Sequence, residues 1–120
     1  MSDFINPVWP GDPEPTSDLS LLRLAFNELR YYERALAGEL AIRTVRDRHP
    51  RRPPGDHPHC TRSQFVEFSD AGQLVASAHQ YVRPDGTISG SGRPDPRMVV
   101  TAGGTILKYV PERQLRSQRP

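Results

Sequence analysis

Residues 19–48, LSLLRLAFNELRYYERALAGELAIRTVRDR, decide what the rest of the chain has to pack against. Thr16, Ser17 or Asp18 stands ready to cap a helix, and the stretch after them shows almost no strand-like alternation. The reading is one long helix over 18–48. Leu22, Ala25, Phe26, Leu29, Leu36 and Leu40 fall on one stripe of that helix, flanked by Tyr32 and Glu33, and that stripe is expected to face the core. A second apolar set, Leu24, Tyr31, Ala35 and Ile42, falls on nearly the opposite side. It calls for a cover: a second copy of the chain in a homo-oligomer, a partner helix, or the chain's own N-terminal arm. The alternative is that Gly38 breaks the segment into two helices. Between the stripes, Arg23, Arg30 and Arg34, with Arg48 in line beyond them, make a row of guanidinium groups suited to phosphates.

Downstream, proline at 50, 53, 54 and 58 reads as a loop over 49–63. From Gln64 the period becomes that of strands: QFVEFS, a DAG turn, QLVASAHQYV and an RPDG turn. TIS offers a short strand, SGSGRPDP a loop, and RMVVT and TILKYV a hairpin closed by AGG. The expected fold is therefore α+β, with one long N-terminal helix packed on a four- to five-stranded antiparallel meander over 64–110. Residues 1–16 are read as a flexible, acidic, proline-rich arm, 17–110 as the domain, and 111–120 as a basic tail.

Composition bounds the function. The chain has 120 residues, one cysteine and a net charge of +2. One modest domain fits this length, no internal disulfide can form, and no apolar run approaches a membrane span. The start, MSDFINPVWPGDPEP, lacks the pattern of a signal peptide, which points to a cytoplasmic protein with no membrane contact. The charge is unevenly spread. Asp3, Asp12, Glu14 and Asp18 stand in the first 18 residues without any Lys or Arg, leaving about +6 on the remainder (2 + 4). Arg43, Arg46, Arg48, Arg51, Arg52 and Arg62 concentrate it centrally, and such blocks attract nucleic acid or an acidic protein surface, or simply solvate a face.

Two segments carry candidate chemistry. In AHQYVRPDGTISGSGRPDPR, residues 78–97, and the Ser77 just before it, alternation puts Ser77, His79 and Tyr81 on the sheet face away from the helix, with Arg83 just beyond and Glu67 a candidate neighbour of His79. The Gly/Ser loop adds Arg93 and Arg97 beside backbone that glycine frees to meet an anion. In DHPHC, Asp56, His57, His59 and Cys60 are competent metal ligands, but their spacing matches no zinc motif, and no metal or other cofactor is assigned.

The first reading is a small non-catalytic binding protein that contacts nucleic acid or an acidic partner through Arg23, Arg30, Arg34, Arg48, Arg51, Arg52 and Arg97. The second is a metal-independent ribonuclease in which His79 moves protons, Tyr81 assists, and Arg83 and Arg93 stabilise the phosphate charge. A third is an adaptor or homodimer through the second helix face. A basic helix followed by an antiparallel sheet is loosely similar to small bacterial toxin ribonucleases of the RelE and ParE kind. Those begin with a strand ahead of the helices, which the proline-rich start does not supply, so the chain is not assigned to them. The whole suits a bacterial or phage accessory protein.

Overall fold

The computed structural model describes residues 6–48 and 60–117. Its elements run β1 (Pro13–Thr16), α1 (Leu19–Glu28), α2 (Tyr31–Leu36), β2 (Ala41–Arg48), β3 (Arg62–Asp70), β4 (Gln73–Val82), β5 (Asp95–Val100), β6 (Ile106–Tyr109) and α3 (Glu112–Ser117). The sheet has six strands in the order β1-β6-β5-β4-β3-β2. Every pairing is antiparallel except that of β1 with β6.

The long helix over 18–48 does not form. Asp18 caps α1 by accepting a hydrogen bond from the Ser20 backbone N–H, but the helix ends at Leu29 because Arg30 turns left-handed, with φ 56° and ψ 37°. α2 then stops at a Schellman motif. The Glu39 N–H reaches the Arg34 carbonyl at 2.9 Å, the Gly38 N–H reaches that of Ala35 at 3.1 Å, and Gly38 holds φ 83°. Beyond Gly38 the chain enters strand β2, whose Ile42, Thr44 and Val45 are β-branched residues that favour extended backbone. The sheet therefore starts at Ala41, well before residue 64, and is mixed rather than an antiparallel meander.

Breaking the helix redistributes the two apolar stripes. Leu22, Phe26 and Leu40 enter the core as expected, whereas Leu36 is 71% exposed. Tyr31, assigned to the outer face, is instead 5% exposed inside the core, and Ala35 packs partly buried beside it. Leu24 stays on the surface of α1, and Ile42 lies exposed on β2, so these four residues make no common helix face. Phe26 meets Phe68 edge-on at 5.5 Å between ring centroids, over a floor of Val66, Ala76, Ala78 and Val99. Those floor residues are cross-strand partners or near neighbours, so the register sets them on one side of the sheet.

Residues 6–16 of the proline-rich start are built into the structure. Val8 bridges to the turn between β3 and β4, its N–H to the Gly72 carbonyl at 3.2 Å and its carbonyl to the Leu74 N–H at 2.8 Å. A Cβ at Gly11 would stand 4.0 Å from Ile106 Cδ1, and the chain then joins the sheet as β1, with Pro13 and Pro15 in the strand. A strand does precede the helices, contrary to the expectation from the sequence. Part of the presumed tail forms α3. No helix among the described residues is long and apolar enough to cross a membrane.

Candidate nucleic-acid interface

The sheet face away from α1 is divided. At the end near Val8 and Gly11, Val100 and Ile106 are buried. Toward the other end, the register sets Ser63 beside Tyr81 and Phe65 beside His79, so these four side chains share one face. Their rings form a ladder. Phe65 and His79 lie 4.9 Å apart, His79 and Tyr81 lie 4.6 Å apart edge to face, and the Arg46 guanidinium rests 5.5 Å from the Phe65 ring. All three rings are half-buried. Ser63 Oγ and His79 Nε2 are hydrogen-bonded at 2.7 Å. Glu67 is not beside His79: it pairs with Ser77 and binds Arg43 at 2.8 Å.

Next to this ladder, β4 runs on past its pairing with β5, and the chain turns through Pro84 to Gly86 before wandering back to Asp95. The RPDG turn forms as expected, with Gly86 at φ 88°, but the TIS segment gives only a single bridge between Val82 and Ile88. The detour opens a cleft of about 780 Å³ between α1 and the returning segment. Arg23, Asn27, His79, Tyr81, Ser89, Gly90, Arg93, Asp95 and Arg97 are among the residues that line it. This falls in the size range of small-molecule sites, roughly 300–1,000 Å³. A shallower recess of about 290 Å³ beside Val45 and Arg46 shares Phe65 with it, so the ring ladder connects the two.

Ion pairs hold most of these charges in place. Asp95 binds both Arg23 and Arg97, each at 3.2 Å. Arg93 donates to Glu33 at 2.7 Å and to Asn27 at 3.1 Å, and lies 5.1 Å from the Tyr32 ring. The hydrogen bond from Arg93 holds the Glu33 carboxyl below its ordinary range. Arg97 packs 5.4 Å from the Tyr109 ring.

Of the residues singled out from the sequence, His79, Tyr81 and Arg93 line the cleft together with Arg23 and Arg97. Arg83 does not: it turns back on its own hairpin, donating to Thr87 Oγ1 at 3.2 Å. The expected row of Arg23, Arg30, Arg34 and Arg48 requires a continuous helix and is not present. Arg30 sits at the kink, Arg34 is held by Glu39 and Asp70, and Arg48 ends β2. Arg51, Arg52, Asp56, His57 and His59 lie outside the described residues. Cys60 is exposed, and no cluster among the described residues has three metal ligands.

Sequence reasoning missed Phe65, Asn27 and Arg46 as members of this surface. Phe65 and Arg46 depended on a register that a bulge at Val45 sets, and Asn27 on where α1 ends. No family model, curated protein or solved structure matches the chain.

Proposed function

We propose that the chain is a small binding protein for single-stranded nucleic acid, RNA in the first instance, and that it acts without catalysis. The observation that carries this reading is the ladder of half-buried Phe65, His79 and Tyr81 on the sheet face away from α1, with Arg46 against Phe65 and an arginine-lined cleft at its side. Half-exposed rings give unstacked bases a surface to lie on, and nearby guanidinium groups attract the phosphates between them. Duplexes keep their bases paired and stacked, so this surface favours single strands. Arg23, Arg93 and Arg97 replace the helix row in the binding role.

The ribonuclease alternative is less favoured by the geometry. His79 Nε2 is engaged with Ser63 Oγ, and Arg83, assigned to the phosphate, turns away from the cleft. The test is fluorescence anisotropy with labelled single-stranded RNA and duplex DNA at low and moderate salt, with the RNA afterwards resolved on a denaturing gel. Salt-sensitive binding of intact RNA supports the reading. RNA cut by the wild type and spared by His79→Gln would replace it with the ribonuclease, and binding of duplex in preference to single strand would remove the base-stacking account.

A further inference from the structure

Three guanidinium groups reach the cleft from separate parts of the chain: Arg23 from α1, Arg93 from the segment before β5, and Arg97 from β5 itself. Arg97 owes its position to a bulge. Ser77 pairs with Met98 and Ala78 with Pro96, which leaves Arg97 as the extra residue of β5. A bulge redirects the side chain it carries, and here that side chain shares Asp95 with Arg23 across the gap between sheet and helix. One carboxylate clasped by guanidinium groups from two elements is an anion site already holding the protein's own acid. With Glu33 binding Arg93, three cations face two carboxylates, so the cluster keeps a net positive charge.

We infer that this cleft binds a phosphomonoester, the terminal phosphate of the nucleotide strand whose bases lie on Phe65, His79 and Tyr81. The inference rests on the single-strand reading above and adds that a terminal phosphate of the strand is held, and by what. An internal phosphodiester brings one negative charge. A terminal phosphate brings about −1.5 to −2 at neutral pH and three strong acceptor oxygens, which suits several guanidinium forks converging on one place. It therefore competes with the single charge of Asp95 for Arg23 and Arg97. The ion pairs to Asp95 and Glu33 meanwhile hold the arginines in position before the ligand arrives, which lowers the ordering cost of binding. Gly90, left-handed at φ 78°, brings the returning backbone to the cleft wall.

The experiment compares one short single-stranded RNA with a 5′-phosphate, a 3′-phosphate or hydroxyls at both ends, alongside a nucleoside monophosphate and inorganic phosphate. Full-length wild type, Arg23→Gln and Asp95→Asn are used. Charge-assisted hydrogen bonds contribute enough that one phosphorylated RNA is expected to bind about tenfold more tightly, or better, than the hydroxyl RNA. Arg23→Gln, at an exposed side chain, is expected to erase that preference, and Asp95→Asn to widen it by removing the competing charge. Equal affinity for the three RNAs would overturn the phosphate site and leave the strand reading standing. Binding of the nucleoside monophosphate or of phosphate through Arg23, with no RNA bound, would keep the site and overturn the strand reading. Failure to bind any of the probes would overturn both.

Discussion

Tyr31 donates its hydroxyl to the backbone carbonyl of Val100 at 2.7 Å, joining residues 69 positions apart in the sequence. The bond ties the first residue of α2 to the end of β5, and burial raises the Tyr31 hydroxyl above its ordinary pKa. Tyr31→Phe keeps the ring and leaves a buried carbonyl short of its donor. The expected loss of stability is about 1–2 kcal/mol, read from urea or thermal unfolding. An unchanged midpoint would mean that the hydroxyl is hydrated rather than bonded.

The kink at Arg30 makes a prediction whose sign separates two folds. A non-glycine residue at φ 56° costs of order 1 kcal/mol, which glycine avoids. Arg30→Gly is therefore expected to leave stability unchanged or raise it by up to about 1 kcal/mol, after glycine's larger unfolded-state entropy is set against the relieved strain. Within a continuous helix the same change would cost about 1 kcal/mol. A drop of that size in the unfolding free energy would restore the long helix.

For RNA binding, Phe65→Ala and Tyr81→Ala are expected to cost about 1–3 kcal/mol each if bases stack on these rings. Arg46→Gln is expected to weaken binding and to lower the slope of log affinity against log salt by about 0.7, the single-strand value for one phosphate contact. Arg34→Gln, whose guanidinium is held by Glu39 and Asp70, is expected to leave the slope alone. If Arg34→Gln weakened binding more than Arg46→Gln did, the interface would have to be moved to the helical side.

Glu33 sets a pH dependence. Its carboxyl titrates below the ordinary 4.5 because Arg93 hydrogen-bonds the charged form. A depressed folded-state value means that the contribution is fully present above 4.5 and is lost as pH falls through the lowered value. Glu33→Gln is expected to lower the melting temperature slightly at neutral pH, with the gap to wild type closing in acid. The pair is partly exposed and solvent-screened, so the effect is small. A gap that persisted or grew toward low pH would assign the loss to packing instead.

How much of this was legible in the sequence varies by element. Turns were the clearest, because RPDG, DAG and AGG each put glycine where the backbone needs positive φ: Gly72 at 85°, Gly86 at 88° and Gly104 at 88°. The apolar anchors Leu22 and Phe26 were also readable, since the first turns of the segment are helical in either fold. Beyond Leu29, helix propensity favoured continuation and tertiary packing overruled it, turning Tyr31 inward at the expense of one strained residue. Gly38 followed by Ile42, Thr44 and Val45 did signal the stop and the strand, but it was outweighed by the apparent periodicity. The residues of the cleft were visible as types, whereas their meeting was not. Arg97 reaches Asp95 through a bulge, and Arg23 through the docking of α1 on β5, and neither can be read from local spacing.

The two outermost strands carry different devices with one effect. β1 contains Pro13 and Pro15, which have no N–H to offer a further strand. β2 breaks its own regularity at Val45 and surrounds the break with Arg43, Arg46 and Arg48, which would repel the same strand of another copy. Lateral growth of the sheet is thus discouraged at both rims, and the protein can be concentrated without its strands templating fibrils.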